Sequence, residues 1–367
     1  MSALHFTTAP HLVTDHSNAS GPWWGRIVSV SDTHALGDAV SRVISTSDGG
    51  STWSTQQAWK DDTGDFGGLR SLAGDSFHFP GPDRTFLSPT GRNENITGVT
   101  ANYTIRFSAN PSGFVRAVSK PFSIGGLPHL SGFRVGGGSA SLWLRDGRTM
   151  LATAVTTGVG KRWGYLSLIA MHSTDGGYAW SYSDVVASAD EVPFAHEGPS
   201  ENALAFLRNG SILCVFRIEG ESGHHSPYHS KVSDDGGRSW KHLRALSVWP
   251  GETIAPGCVR PRLLPLGGSL VLAGGRPSPI SHDVMVWLNA KGDGDVWRPY
   301  SISYWLNRLI GPVNTSWTIP AGPINDSRRL PRYTTSYTSL LRTSNDSACL
   351  VYGAGLNAFS MPMQLVD

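Results

Sequence analysis

The sequence predicts an all-β chain folded as a single six-bladed β-propeller over residues 1–367, on the strength of a turn-rich composition, a repeated turn and a repeated hairpin. The chain carries 43 Gly, 23 Pro and 13 Trp with only 16% charged residues, which describes short strands joined by tight turns rather than helical layers.

The repeated turn has the pattern (S/T)-x-D-x-G-x-(S/T/A)-W. It occurs at residues 45–53 (STSDGGSTW), 173–180 (STDGGYAW) and 233–240 (SDDGGRSW). A fourth segment, residues 292–297 (GDGDVW), keeps the second glycine and the tryptophan and is read as having lost the aspartate. The carboxylate caps backbone N–H groups of its own turn, glycine supplies positive φ, and tryptophan anchors the turn on a sheet. Asp48, Asp175 and Asp235 are therefore turn formers rather than catalytic groups.

The repeated hairpin is an apolar strand, a short polar turn and a second apolar strand. It appears around Gly25, Gly147, Gly210, Gly268 and Asn345, at intervals of roughly sixty residues or multiples of it. Residues 64–128 are long enough for one divergent copy, which makes six. Four-stranded sheets repeated about an axis form a propeller whose first strands line a central channel. A β-sandwich is the competing all-β fold, but it does not predict this period.

Thirty basic and twenty-eight acidic residues leave a net charge of +2 without any block of like charge, so neither a nucleic-acid footprint nor a polybasic anchor is present. No apolar run approaches the length of a membrane span. Cys214, Cys258 and Cys349 lie far apart, allow at most one disulfide and show no zinc-ribbon spacing. Seven N-x-S/T sequons, at Asn18, Asn95, Asn102, Asn209, Asn314, Asn325 and Asn345, predict a secreted or lumenal glycoprotein, although a Ser/Thr-rich loop composition would also raise the count. His5, Pro10 and His11 interrupt any signal-peptide core, so secretion requires a leader beyond this N-terminus, which is expected to be truncated.

The repeated turns resemble the Asp boxes of the sialidase (neuraminidase) superfamily, and the resemblance covers nearly the whole chain. Asp boxes also occur in non-enzymatic propellers, so function rests on residues at the channel. Glu201 (HEGPSENALAF) precedes the Gly210 turn by nine residues and Arg217 (CVFRIEG) follows it by seven, which sets them on adjacent antiparallel strands. The resemblance implies that Glu201 is a catalytic base and that Arg217 grips a sugar carboxylate. It places Arg276 (AGGRPSP) at the equivalent position of the next blade, with Arg260 (GCVRPRL) facing the same cavity. Guanidinium binds carboxylate bidentately and keeps its charge.

In the last hairpin Tyr337 (TTSYTSLL) takes the place of Glu201, and the resemblance implies a tyrosine nucleophile there. The acid/base is expected in the first blade, at Asp32 or Asp38 (SVSDTHALGDAV), with Asp38 favoured by its place on the loop. Thr8 stands where the family's first arginine is expected. Residues 351–353 (VYG) stand where family members often carry a glutamate.

The reading that follows is a retaining exo-glycosidase releasing α-linked sialic acid or a related nonulosonic acid from glycoconjugates, needing no cofactor and no metal, and expected to be a monomer. The rival is a lectin-like propeller without turnover; an interaction scaffold is a third possibility. His224, His225 and His229 lie in a Gly/Ser/Pro loop without an acidic partner and are read as a solvated or substrate-facing loop rather than a metal site. The segment GVGKRWG from Gly158 has the wrong spacing for a phosphate loop.

Overall fold

The computed structural model describes residues 2–6, 8, 10–15, 26–29, 35–39, 42–56, 102–110, 113–126, 135–136, 140–157, 159–162, 164–175, 179–220, 226–251, 259–275, 284–310, 334–354 and 357–367. Strands β1 (Ala3–His5) and β2 (His11–Asp15) precede a first sheet of β3 (Arg26–Ser29), β4 (Ala35–Ala39), β5 (Arg42–Thr46) and β6 (Ser54–Gln56). The hairpin β7 (Asn102–Asn110) and β8 (Gly113–Gly125) joins a sheet of β9 (Val135–Gly136), β10 (Ser141–Trp143), β11 (Met150–Thr157), β12 (Leu166–Ser173) and β13 (Ala179–Ala187). Next come β14 (Ala195–Phe206), β15 (Ile212–Gly220), β16 (His229–Ser233) and β17 (Lys241–Ala245). A further sheet holds β18 (Ser247–Val248), β19 (Val259–Leu266), β20 (Ser269–Gly275), β21 (Val284–Asn289) and β22 (Val296–Ser301). The last holds β23 (Thr334–Arg342), β24 (Ser347–Ala354) and β25 (Asn357–Val366).

The fold is all-β with almost no helix. Its last sheet is completed from the other end of the chain, because Ala3 pairs with Val366 and His11 with Ser360. Segments entering two of the sheets run parallel beside their outer strands, Ile124 pairing with Trp180 and Val248 with Trp297. Both partners are the tryptophans of the repeated turns.

Hydrogen bonding explains the turn motif. Thr46 Oγ1 donates to Asp48 Oδ1 at 2.8 Å, Asp48 Oδ1 accepts the Thr52 N–H at 2.9 Å, and Trp53 Nε1 donates to the Gly50 carbonyl at 3.0 Å. Gly50 has φ +90°, and a Cβ there would come within 3.0 Å of Cys349 Sγ on the last sheet. The fourth copy corrects the sequence reading, for its aspartate is displaced rather than lost. Asn289 Oδ1 accepts the Gly294 N–H at 3.0 Å, as Ser233 Oγ accepts that of Gly237, while Asp293 accepts from Asn289 Nδ2 at 2.9 Å and Trp297 Nε1 donates to the Gly294 carbonyl. One extra residue between cap and glycine hides the motif, while the bonds of the cap to the glycine N–H and of the tryptophan to the glycine carbonyl remain.

Apolar clusters fill the spaces between successive sheets. Leu151, Val155 and Leu168 meet Leu204, Cys214 and Phe216; Leu213 and Val215 meet Leu270, Leu272 and Trp287; Val271 and Val286 meet Leu350, Tyr352 and Phe359. Ala35 and Ile44 of the first sheet pack on Leu341, Cys349 and Val351 of the last. Each fully buried Leu, Ile, Val or Phe contributes about 1.5–3 kcal/mol, so the sheets cohere through their faces rather than through a shared hydrogen-bond ladder.

Two expectations are revised. The first hairpin does not turn at Gly25: β3 and β4 pair Ser29 with Ala35, so residues 30–34 connect them. Tryptophans and apolar residues on both sides of Gly25 imitate a hairpin that is displaced along the chain. Helix α1 (Ile302–Ile310) also escaped the strand-based reading. Ser301 Oγ caps it by accepting the Tyr304 N–H at 3.1 Å, and Ile302, Trp305, Leu306 and Leu309 recur at helical spacing against the core.

Candidate functional site

Three inner strands carry an irregularity at one level. Register shifts fall between Pro199 and Asn202 in β14, between Val259 and Arg262 in β19, and between Thr334 and Thr338 in β23. A bulge bends its strand and re-aims side chains, and such features gather beside functional sites. Glu201 and Tyr337 each stand five residues before the last paired residue of their strand, Phe206 and Arg342. In β19 that level is Pro261, flanked by Arg260 and Arg262.

The sheets are joined at this level by polar bonds. Thr153 Oγ1 donates to Asn202 Oδ1 at 2.5 Å. Glu201 Oε2 accepts the main-chain N–H of Arg260 at 2.9 Å. Arg262 Nε donates to the Thr338 carbonyl at 3.1 Å, fixing the backbone beside Tyr337. Ser200, Asn202, Thr338 and Ser339 are all buried there, an unusual run of polar side chains for inner strands.

Glu201 and Arg217 meet as the sequence predicts: Arg217 Nη1 lies 3.3 Å from Glu201 Oε2, and their side chains are 15% and 16% exposed. Arg217 and the Arg260 N–H together supply donors to one carboxylate oxygen of Glu201, which holds that side chain in place between two sheets. Arg260 itself is only 5% exposed, and its guanidinium has no hydrogen-bond or ion-pair partner among the described residues. It also adopts φ +25°, a strained conformation for a residue bearing Cβ. A buried cation without a counter-charge is costly, and an anion entering the site would offset that cost.

The other expected residues are placed less fully. Tyr337 lies on β23, directly before Thr338, which pairs with Tyr352. Asp38 lies on β4, where its backbone partners are Arg26 and Val43; it is a strand residue rather than a loop residue. Asp32, Arg276, His224, His225 and Cys258 lie outside the described residues. Arg276 follows the last residue of β20, Gly275.

Thr8 does not occupy the inner position assigned to it. It falls between β1 and β2, which pair with β25 on the side of the last sheet remote from β23. The inner strand of the first sheet instead begins at Arg26. Sequence reasoning missed this arginine because it counted from Gly25 as a turn. His229 Nδ1 lies 3.0 Å from the Pro227 carbonyl, and burial pulls its pKa down, partly countered by that bond. Among the described residues no group of three His, Cys, Asp or Glu side chains is placed to hold a metal, and no helix is long and apolar enough to cross a membrane.

Antiparallel sheets packed face to face, with irregular inner strands gathered at one polar level, define a β-propeller-like protein. The family model of the BNR repeat-like domain matches residues 134–330, and the chain belongs to that family, within the sialidase-like superfamily. Among solved structures it is similar to a protein of unknown function from Dyadobacter fermentans, with TM-score 0.62, 13% identity and 99% of both chains covered. It is similar to the α-L-arabinofuranosidase Arb93A of Fusarium graminearum, with TM-score 0.58, 15% identity and 98% of both chains covered. It is also similar to the Hadza microbial sialidase Hz136, with TM-score 0.57 and 12% identity over 98% of this chain and 68% of that one. Comparison with curated proteins finds no match.

Proposed function

We propose that the protein is a six-bladed propeller glycoside hydrolase of the retaining exo type, acting on a terminal acidic sugar: an α-linked sialic acid or related nonulosonic acid. The observation that carries this reading is the buried Arg260, whose guanidinium has no partner among the described residues, beside the Glu201–Arg217 pair. A neutral sugar such as arabinofuranose gives buried guanidinium groups nothing to neutralise, whereas a carboxylate accepts bidentate, charge-assisted bonds from them.

In the mechanism, Glu201 takes the phenolic proton of Tyr337 as the phenolate oxygen bonds to the anomeric carbon. The glycosidic C–O bond breaks, and its electron pair leaves on an oxygen protonated by Asp38, with Asp32 the alternative donor. The same aspartate, now a carboxylate, removes a proton from water; the hydroxyl replaces the tyrosyl oxygen, and Tyr337 regains its proton from Glu201. Arg217, Arg260 and Arg276 hold the substrate carboxylate, with Arg26 a further candidate. A phenol suits this site because a second carboxylate nucleophile would be repelled by the substrate's own.

Release of 4-methylumbelliferone from its α-ketoside of N-acetylneuraminic acid, measured beside the matching α-L-arabinofuranoside, tests the reading. Turnover of the ketoside alone is expected. Turnover of the arabinoside alone would remove the acidic-sugar assignment. A second reading, a carbohydrate-binding propeller without turnover, is favoured by Gly353, which follows Tyr352 at the level of Tyr337 and supplies no carboxylate. Its mark is ketoside binding without product.

A further inference from the structure

Tyr228 is completely buried, immediately before β16, and its hydroxyl donates to the Val259 carbonyl of the neighbouring sheet at 2.5 Å. Val259 is the first residue of the β19 irregularity, and Arg260 follows it at φ +25°. Opposite them on β20, a Cβ at Gly274 would collide with the Tyr228 hydroxyl and come within 3.1 Å of the Val259 carbonyl. The glycine is therefore required for the tyrosine to reach the strand. Tyr228 packs edge-on against Trp287, ring centroids 6.2 Å apart, so its ring is fixed from the side as well.

A residue strained at positive φ persists only where its surroundings hold it. Here the bond from Tyr228 holds the peptide unit whose N–H belongs to Arg260, and that N–H binds Glu201 Oε2 at 2.9 Å. The chain of contacts runs from Tyr228 through the Val259–Arg260 peptide to Glu201 and on to Arg217.

We infer that Tyr228 is a positioning residue for the candidate site: through the Val259 carbonyl its hydroxyl holds the peptide that orients Glu201 and fixes the Arg260 guanidinium. Its catalytic consequence rests on the proposed function above; its structural part does not. Loss of the hydroxyl lets the Val259–Arg260 peptide rotate toward an unstrained conformation, which withdraws the N–H from Glu201 and moves the cation. Tyr228 touches no substrate and donates no proton in the reaction.

The experiment uses the full chain with Tyr228→Phe, which keeps the ring packing, and a control variant, Tyr300→Phe, at a partly buried tyrosine whose hydroxyl bonds to the Leu4 N–H. Amide hydrogen exchange is followed by NMR, and hydrolysis of the sialic acid ketoside is followed in parallel. Tyr228→Phe is expected to speed exchange of the Arg260 amide at least about tenfold while amides of β15 and β21 keep wild-type rates, and to lower kcat/KM about a hundredfold, as small misplacements of catalytic groups do. The control is expected to change neither. If wild type does not turn over the ketoside, the proposed function fails and the Arg260 amide alone decides this inference. Unchanged Arg260 exchange in Tyr228→Phe overturns the inference, as does uniform acceleration across β15 and β21, which would mark a purely structural role.

Discussion

Thr153 and Asn202 share a 2.5 Å hydrogen bond between two sheets, and both side chains are buried. The same hydroxyl also accepts the Ala140 N–H at 3.0 Å. Thr153→Val keeps the shape but removes the hydroxyl that Asn202 Oδ1 and the partly buried Ala140 N–H both use, each lost bond costing about 1–3 kcal/mol. A drop of about 2 kcal/mol in unfolding free energy is expected from urea titration. A wild-type midpoint would mean that water replaces the hydroxyl.

Glu201→Gln removes the base while retaining a hydrogen-bond acceptor for Arg217 and the Arg260 N–H. Turnover of the ketoside is expected to fall about 10²- to 10⁴-fold, the range for loss of a general base. Tyr337→Phe is expected to lower it by orders of magnitude with the urea midpoint unchanged. Full activity in either variant removes that residue from the mechanism.

Arg260→Met separates function from stability. The cation is buried without a partner among the described residues, so replacing it with an apolar chain of similar length should raise unfolding free energy, by about 1–3 kcal/mol. Calorimetric binding of free N-acetylneuraminic acid should weaken at least about tenfold in the same variant, the charge-assisted bonds to the carboxylate being lost. A less stable variant that binds normally would show that Arg260 serves the fold and not the ligand.

Most of the repeat was legible because its turns are local chemistry. Thr46, Ser173 and Ser233 sit at fixed offsets from Asp48, Asp175 and Asp235, and their hydroxyls bond those carboxylates in space. The Asn289 turn was misread because Asn and Asp293 share the work over a loop one residue longer. Glu201 and Arg217 were legible from counting across the Gly210 hairpin, whose pairing is regular from Asn202 to Phe206 and slips just before it, where Glu201 stands. Counting failed in the first sheet, where the turn is displaced, and it misassigned Thr8 because a strand can complete a sheet from the far end of the chain. Arg260 was named from the sequence, but its positive φ and its main-chain bond to Glu201, like the contact of Tyr228 with Val259, depend on a bulge and on packing between sheets, neither of which leaves a local pattern.

Asp235 gives a prediction with a definite sign in pH. Burial would raise its pKa, but hydrogen bonds from Ser239, Ser233 and the Arg238 N–H together outweigh that and hold it at about 2, against 3.8 for an ordinary aspartate. Because the folded value is depressed, the ionised carboxylate stabilises the native state fully above the unfolded pKa, and this contribution fades as pH falls from about 4 toward 2. The carboxylate is largely solvent-exposed, so screening keeps the electrostatic part small. Asp235→Ala should therefore cost about 1 kcal/mol at pH 7, the ordinary cost of losing a cap, and the gap to wild type should close below pH 4. Urea unfolding of both proteins between pH 7 and pH 2.5 measures it. A gap that stayed constant down to pH 2.5 would show that the aspartate acts through turn geometry and not through its charge.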